Sequence, residues 1–213
     1  MTQPLTKDQF DRDVAQHQLM IRLDQGVHRH LTLKAPDTLA YHYHITTWPG
    51  HLAMTGDMGS WVFSRLQDMF EFFRQPGINP GYWGEKLEAC DCTGRYDGGA
   101  MEYSYDLFRA ALWTEALQLC RRAKDDGASI NQRAALIEDL KSIRDCSAAE
   151  HEYGAHVAVR DFSCWLGGKR YEINDFQEHN LRVYKHRYIW ACYAIQHAIA
   201  MYDQAKTKLG AAA

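Results

Sequence analysis

The stretch VHRHLTLKAPDTLAYHYHIT, residues 27–46, decides the fold. It holds two runs that alternate apolar with polar residues, separated by the turn signal Ala35-Pro36-Asp37-Thr38, and so predicts a β-hairpin. Side chains alternate faces along a strand, so parity assigns them. Odd positions carry Val27, Arg29, Leu31 and Leu33 in the first run and Leu39, Tyr41, Tyr43 and Ile45 in the second. Even positions carry His28, His30, Thr32 and Lys34, then Ala40, His42, His44 and Thr46. A register that buries both apolar faces puts His28, His30, His42 and His44 together on the other side, because a one-residue slip would bury one set.

Reading outward, Trp48-Pro49-Gly50 ends the second strand, HLAMT (51–55) makes a third, Gly56-Asp57-Met58-Gly59 is a turn, and SWVF (60–63) a fourth. Upstream, residues 4–20 predict a short amphipathic helix carrying Phe10, Val14 and Leu19. Downstream the pattern turns helical. Ser64 caps a helix carrying Leu66, Met69, Phe70 and Phe73, with Gln67 at the capping-box position. Asn79-Pro80 opens a short helix through Trp83 and Leu87. Ser104 caps a helix to about Lys124, stopped by Asp125-Asp126-Gly127, and residues 131–145 form another. Ser147 and Glu150 suggest a capping box for the next. Residues 162–178 are left open, with Gly167-Gly168 between two possible short strands. The last helix spans about Asn180 to Lys206. The expected fold is α+β: an N-terminal antiparallel β-meander over about 27–63 packed against a mostly helical remainder over about 64–206, in one domain of 213 residues.

Composition bounds the function. A hydrophobic share of 46% with 24% charged residues is that of a globular chain with a real core. A net charge of -3 provides no global positive field to gather nucleic acid, so direct nucleic-acid binding is disfavoured. The most apolar run, YIWACYAIQHAIAMY (188–202), is too short and too polar to span a bilayer and reads as a buried helix. The opening MTQPLTKDQFDRD has no secretory apolar region, which gives the expectation of a cytoplasmic protein with reduced, packed cysteines. Cys90-Asp-Cys92 has no second pair at zinc spacing and reads as two loop thiols.

Five histidines in 24 residues are the chemically capable feature. His28, His30, His42, His44 and His51, with Asp57 as a hard oxygen, form a candidate ligand set for a divalent metal such as zinc. The competing reading is the polar side of an antiparallel sheet, with no cofactor. His30-Leu-Thr32-Leu and His44-Ile-Thr46-Thr also resemble the tetrapeptides of the 2H phosphoesterases, which implies two histidines acting as general acid and base on a phosphodiester. No complete catalytic motif accompanies them: phosphate-cradling glycine loops and a nucleophile elbow are absent, and no catalytic residue is assigned.

Three segments, HITTWPGHLAMTGDMGSWVFSRLQDMFEFFR (44–74), INPGYWGEKLEA (78–89) and YIWACYAIQHAIAMYD (188–203), resemble a family of bacteriophage and prophage proteins. The resemblance carries no catalytic residue across. It implies a phage accessory protein in the cytoplasm of an infected bacterium, binding and disabling a host protein or nucleoprotein complex, counter-defence included. An interface needs aromatic or Arg anchors, for which Trp48, Trp61 and Tyr82 beside the loops, and Arg182 and Lys185 in a basic patch, are the candidates. A homo-oligomer is left open. The alternative function is a metal-dependent hydrolase or phosphodiesterase on the histidine face.

Overall fold

The computed structural model describes residues 5–91 and 99–211. The elements run α1 (Lys7–Asp13), β1 (Gln18–Gln25), β2 (His28–Lys34), β3 (Tyr43–Trp48), β4 (His51–Gly56), β5 (Gly59–Ser64), α2 (Met69–Phe73), α3 (Pro80–Gly84) and β6 (Leu87–Cys90). They continue with β7 (Met101–Tyr103), α4 (Tyr105–Asp125), α5 (Ile130–Arg144), α6 (Glu152–Arg160), β8 (Ser163–Leu166), β9 (Lys169–Glu172), β10 (Arg182–Tyr184) and α7 (His186–Ala211). Strands β1 to β6 make one antiparallel sheet in sequence order, so the fold is α+β with the sheet N-terminal. Among the described residues no helix is long and apolar enough to cross a membrane.

Contacts divide the chain into two units. One is Tyr103–Val183; the other holds the described residues before 103 and after 183. In the sheet unit, Leu31, Leu33, Tyr43, Ile45, Leu52, Met54, Trp61 and Phe63 point into one core with Tyr188, Trp190, Ile195 and Ile199 of α7. Both the alternation of the strands and the apolar stripe of α7 are thereby satisfied on the same side of the sheet. Arg29 is the one Lys, Arg, Asp or Glu buried among the described residues. Its guanidinium meets Asp68 through two bonds of 2.8 and 2.7 Å and lies 4.5 Å from the Phe70 ring centroid. A buried charge is tolerated here because a carboxylate fork and an aromatic face replace its water.

The sheet is wider than the expected four strands. Edge strand β1 takes residues 18–20, read as the tail of a helix, together with 21–25, for which no element was expected, and Leu87, read as the end of a helix, lies in β6 paired with Phe63. The second strand begins at Tyr43, not Leu39, because Tyr41 takes a left-handed φ of 58°. Asp57 holds that loop: its carboxylate accepts from the Tyr41 N–H at 2.8 Å, and its own N–H donates to His42 O at 3.0 Å. Gly56 is required beside it, since a Cβ there would lie 2.3 Å from His42 O.

Ser64 ends β5 and caps no helix; Asp68 caps α2 instead, accepting from the Phe70 N–H at 2.9 Å. Asn79 and Ser104 cap α3 and α4 as their sequence signals require. In the helical unit, Phe108, Leu112, Leu119, Leu136 and Leu140 pack with Val159, Tyr171 and Phe176. Gly167 and Gly168, both at positive φ, turn the β8–β9 hairpin inside the segment the sequence left open. Ser147 and Glu150 do not make a capping box: residues 147–150 form a separate 3-10 turn and α6 begins after it. The turn folds onto the start of α6 at Gly154, where a Cβ would fall 2.1 Å from Ala148 O. The last helix starts at His186, since Arg182–Tyr184 are taken by β10, which pairs with β7.

Candidate functional site

With one sheet face turned to the core, the other is set by the same register. Across its first row Met20, Thr32, His44, Thr55 and Ser60 stand opposite one another; the next holds Leu23, His30, Thr46, Ala53, Val62 and Ala89. Trp48, His51 and Ser64 follow. Thr46 is exposed, and His30, His44, Trp48, His51, Ala53, Thr55, Val62 and Ser64 are partly exposed. This face is a broad surface of small and polar side chains.

Its electrostatic character is unusual for the outer side of a sheet. Strands β3, β4 and β5 contain no Lys, Arg, Asp or Glu on either face. Solvent-facing strands ordinarily carry such residues, which also discourage unwanted pairing; their depletion is the compositional mark of an interface centre. The signal is legible in residues 43–64, where Asp57 in a turn is the lone formal charge, although alternation alone does not reveal it.

The parity holds for the histidines of β2 and for His44, while His42 falls in the loop before β3. His30 pairs with Thr46 and Thr32 with His44, while Leu31–Ile45 and Leu33–Tyr43 pair on the core side. The two His-x-Thr triplets therefore cross, each imidazole facing the threonine of the other. The His30 and His44 ring centroids are 5.8 Å apart, and those of His42 and His44 are 5.7 Å apart. Thr32 Oγ1 and His44 Nδ1 share a hydrogen bond of 3.0 Å, and His42 Nδ1–H donates to Leu39 O at 2.7 Å. Burial holds the His44 pKa below the ordinary imidazole value, and the positive fields of His42, His30 and Arg22 push the same way.

The six candidate metal ligands do not form one group. His28 is exposed at the start of β2. His51 is four residues along the ladder from His44, roughly 14 Å at ~3.4 Å per residue. It stacks on Trp48 with centroids 5.0 Å apart, donates from Nδ1 to Pro49 O at 3.0 Å and meets Glu88 through Nε2 at 3.2 Å. Asp57 is engaged with the Tyr41 loop. Among the described residues no three His, Cys, Asp or Glu side chains are placed to hold a metal ion. Cys92 lies outside the described residues.

The binding candidates separate. Trp48 lies on the open face beside His51. Trp61 is 1% exposed, packs against Tyr188, and donates from Nε1 to Met58 O at 3.0 Å; it belongs to the core and offers no surface to a partner. Odd parity in a strand that buries Phe63 already placed it inward. Tyr82 is 39% exposed and stands against Phe72, with Lys86 over its ring. Arg182 lies in β10 and not on the last helix; its guanidinium grips Glu152 through Nε at 2.8 Å and Nη2 at 2.6 Å. Lys185 precedes α7, its backbone N–H donating to Ala100 O at 3.0 Å. Arg22, which sequence reasoning missed, sits at a bulge of β1 between Ile21 and Leu23.

Compared with known protein families, curated proteins and solved structures, the chain matches none of them.

Proposed function

We propose that the protein acts by binding a host protein or nucleoprotein complex in an infected bacterium, with the outer face of β3–β5 as its contact surface. The carrying observation is the absence of formal charge across three consecutive strands whose outer side chains meet solvent. Trp48, stacked on His51 at the β3–β4 turn, is the aromatic anchor of that surface. The phage resemblance supports the cellular setting.

The test is affinity purification from bacterial lysate with the wild type and with Val62→Arg or Ala53→Arg. Both positions lie on the outer side, so the core is left intact. A partner retained by the wild type and lost by both variants is the expected result. A wild type that retains nothing above background, or variants that retain the partner equally, would contradict it.

A second reading is favoured by the crossed triplets. His30 and His44, each facing a threonine hydroxyl, have the makings of a general acid and base on a phosphodiester, with or without a divalent metal. A model phosphodiester assayed with and without zinc tests it. His44→Gln should then lower the rate by ~10²-fold or more, as loss of an essential acid or base does. An unchanged rate removes the reading.

A further inference from the structure

Arg22 occupies an extra position in β1. Ile21 pairs with Leu31 and Leu23 with His30, so Arg22 is inserted between two rungs of the ladder. Bulges of this kind re-aim a side chain. Here the guanidinium donates from Nη2 to Met20 Sδ at 3.4 Å, and Met20 pairs with Thr32, the partner of His44. The bulge thus brings a permanent cation beside the imidazole row.

The groups that bear electrostatically on His44 are His42, His30 and Arg22, and each disfavours its protonation. Of the nearby carboxylates, Asp37 is exposed in the connection after β2, and three others are held by partners of their own. Asp24 accepts from Tyr202 at 2.7 Å and Lys206 at 2.9 Å, Asp57 holds the Tyr41 N–H, and Glu88 pairs with His51. Lys34 ends β2 on this same face. The outer corner of β1–β3 therefore gathers one fixed cation, a lysine and three imidazoles, and none of the groups that bear electrostatically on His44 is a carboxylate. Donors converge there as well: the exposed Thr46 hydroxyl faces His30, and His44 keeps Nε2 available while Nδ1 is held by Thr32.

We propose that Arg22, His30, His44 and Thr46 form an oxyanion site that takes a phosphoryl group, free or esterified. A tetrahedral phosphoryl group presents oxygens on several sides, suiting a guanidinium, two imidazoles on neighbouring strands and a hydroxyl. The bound negative charge offsets the Arg22 field and so favours the protonated form of His44. Binding tightens as pH falls below the ordinary imidazole range, because His44, whose protonation burial and nearby positive charge disfavour in the free protein, gains a donor and a charge beside the bound anion. The inference uses the residues of the second reading but needs no turnover. Phosphate binding without cleavage leaves it standing and sinks only that reading.

The experiment is a titration of the full chain with inorganic phosphate, and separately with a dinucleoside monophosphate, at constant ionic strength. The readout is the imidazole resonances, followed over a pH range that extends well below the ordinary imidazole value. Saturable shifts of His30 and His44, stronger at the lower pH and accompanied by a raised His44 pKa, are expected. Arg22→Gln, on an exposed edge position, should weaken binding by about tenfold, the scale of one charge-assisted hydrogen bond, while the His30 and His44 resonances of the free protein stay in place. A response to one probe alone identifies a monoester-like or diester ligand and supports the site either way. Shifts that match those in chloride, or that are unaltered by Arg22→Gln, overturn it.

Discussion

Arg29 shows how one residue joins the parts of the sheet unit. It pairs with Thr47 on the core side of the ladder, grips Asp68 at the head of α2, and stacks between Phe70 and Tyr202. Burial disfavours charge on Asp68, yet the Arg29 bonds hold its pKa below the ordinary carboxylate value. Truncating one partner strands the other charge, so Arg29→Ala should cost about 3 kcal/mol in urea unfolding. A cost below about 1 kcal/mol, the range of surface pairs, would show that the pair is effectively solvated. His197 offers a second test at this scale. Its Nδ1 and the Tyr43 hydroxyl are 2.6 Å apart, and burial, followed by the field of His17, pushes its pKa down to about 4. The unfolded chain, near 6.5, takes up the proton first. The neutral ring's contribution is complete above that value and is lost as pH falls toward 4, at up to ~1.4 kcal/mol per pH unit. Stability measured between about pH 7 and 4 should therefore fall in the wild type and fall less steeply in His197→Gln. Parallel curves would contradict the assignment.

At the scale of elements, what the sequence showed depended on whether a local signal acts alone. Asn79-Pro80 and Ser104 were legible because a cap needs only its own turn: Asn79 Oδ1 accepts from the Tyr82 N–H at 3.2 Å. Asn79→Ala should cost about 1 kcal/mol, as cap removals do, read by thermal or urea unfolding. Ser64 and Ser147 carry similar signals and fail for tertiary reasons. Ser64 is taken by its ladder partner His51, while Asp68 has both the Phe70 N–H and Arg29 to hold it. Edge strand β1 was hidden because its burial hardly alternates, with Ile21 and Leu23 both more than a third exposed. A bulge shifts its parity midway, and Arg22, the residue that matters most to the oxyanion site, is the one the bulge inserts. Gly56 belongs to this scale too: Gly56→Ala should loosen the Tyr41–His42 loop and disturb the His42 and His44 resonances before the core strands. Unchanged resonances would mean the backbone yields there at little cost.

Across the whole molecule, the parity of residues 27–46 carried furthest. It placed the histidines opposite the core, and the register of β2 with β3 follows from it. It could not say which groups meet, since the crossing of the two His-x-Thr triplets depends on loop length and on the left-handed Tyr41. The uncharged surface of β3–β5 is an assembled property, visible once three strands lie side by side. The central claim is that this surface meets a partner. It is tested most directly by footprinting histidines with an acylating reagent in the free protein and in the partner complex. His44 and His51, on the open face, should lose reactivity when the partner binds, while the exposed His151 and His186 react as before. Undiminished reactivity of His44 and His51 in a saturated complex would contradict it.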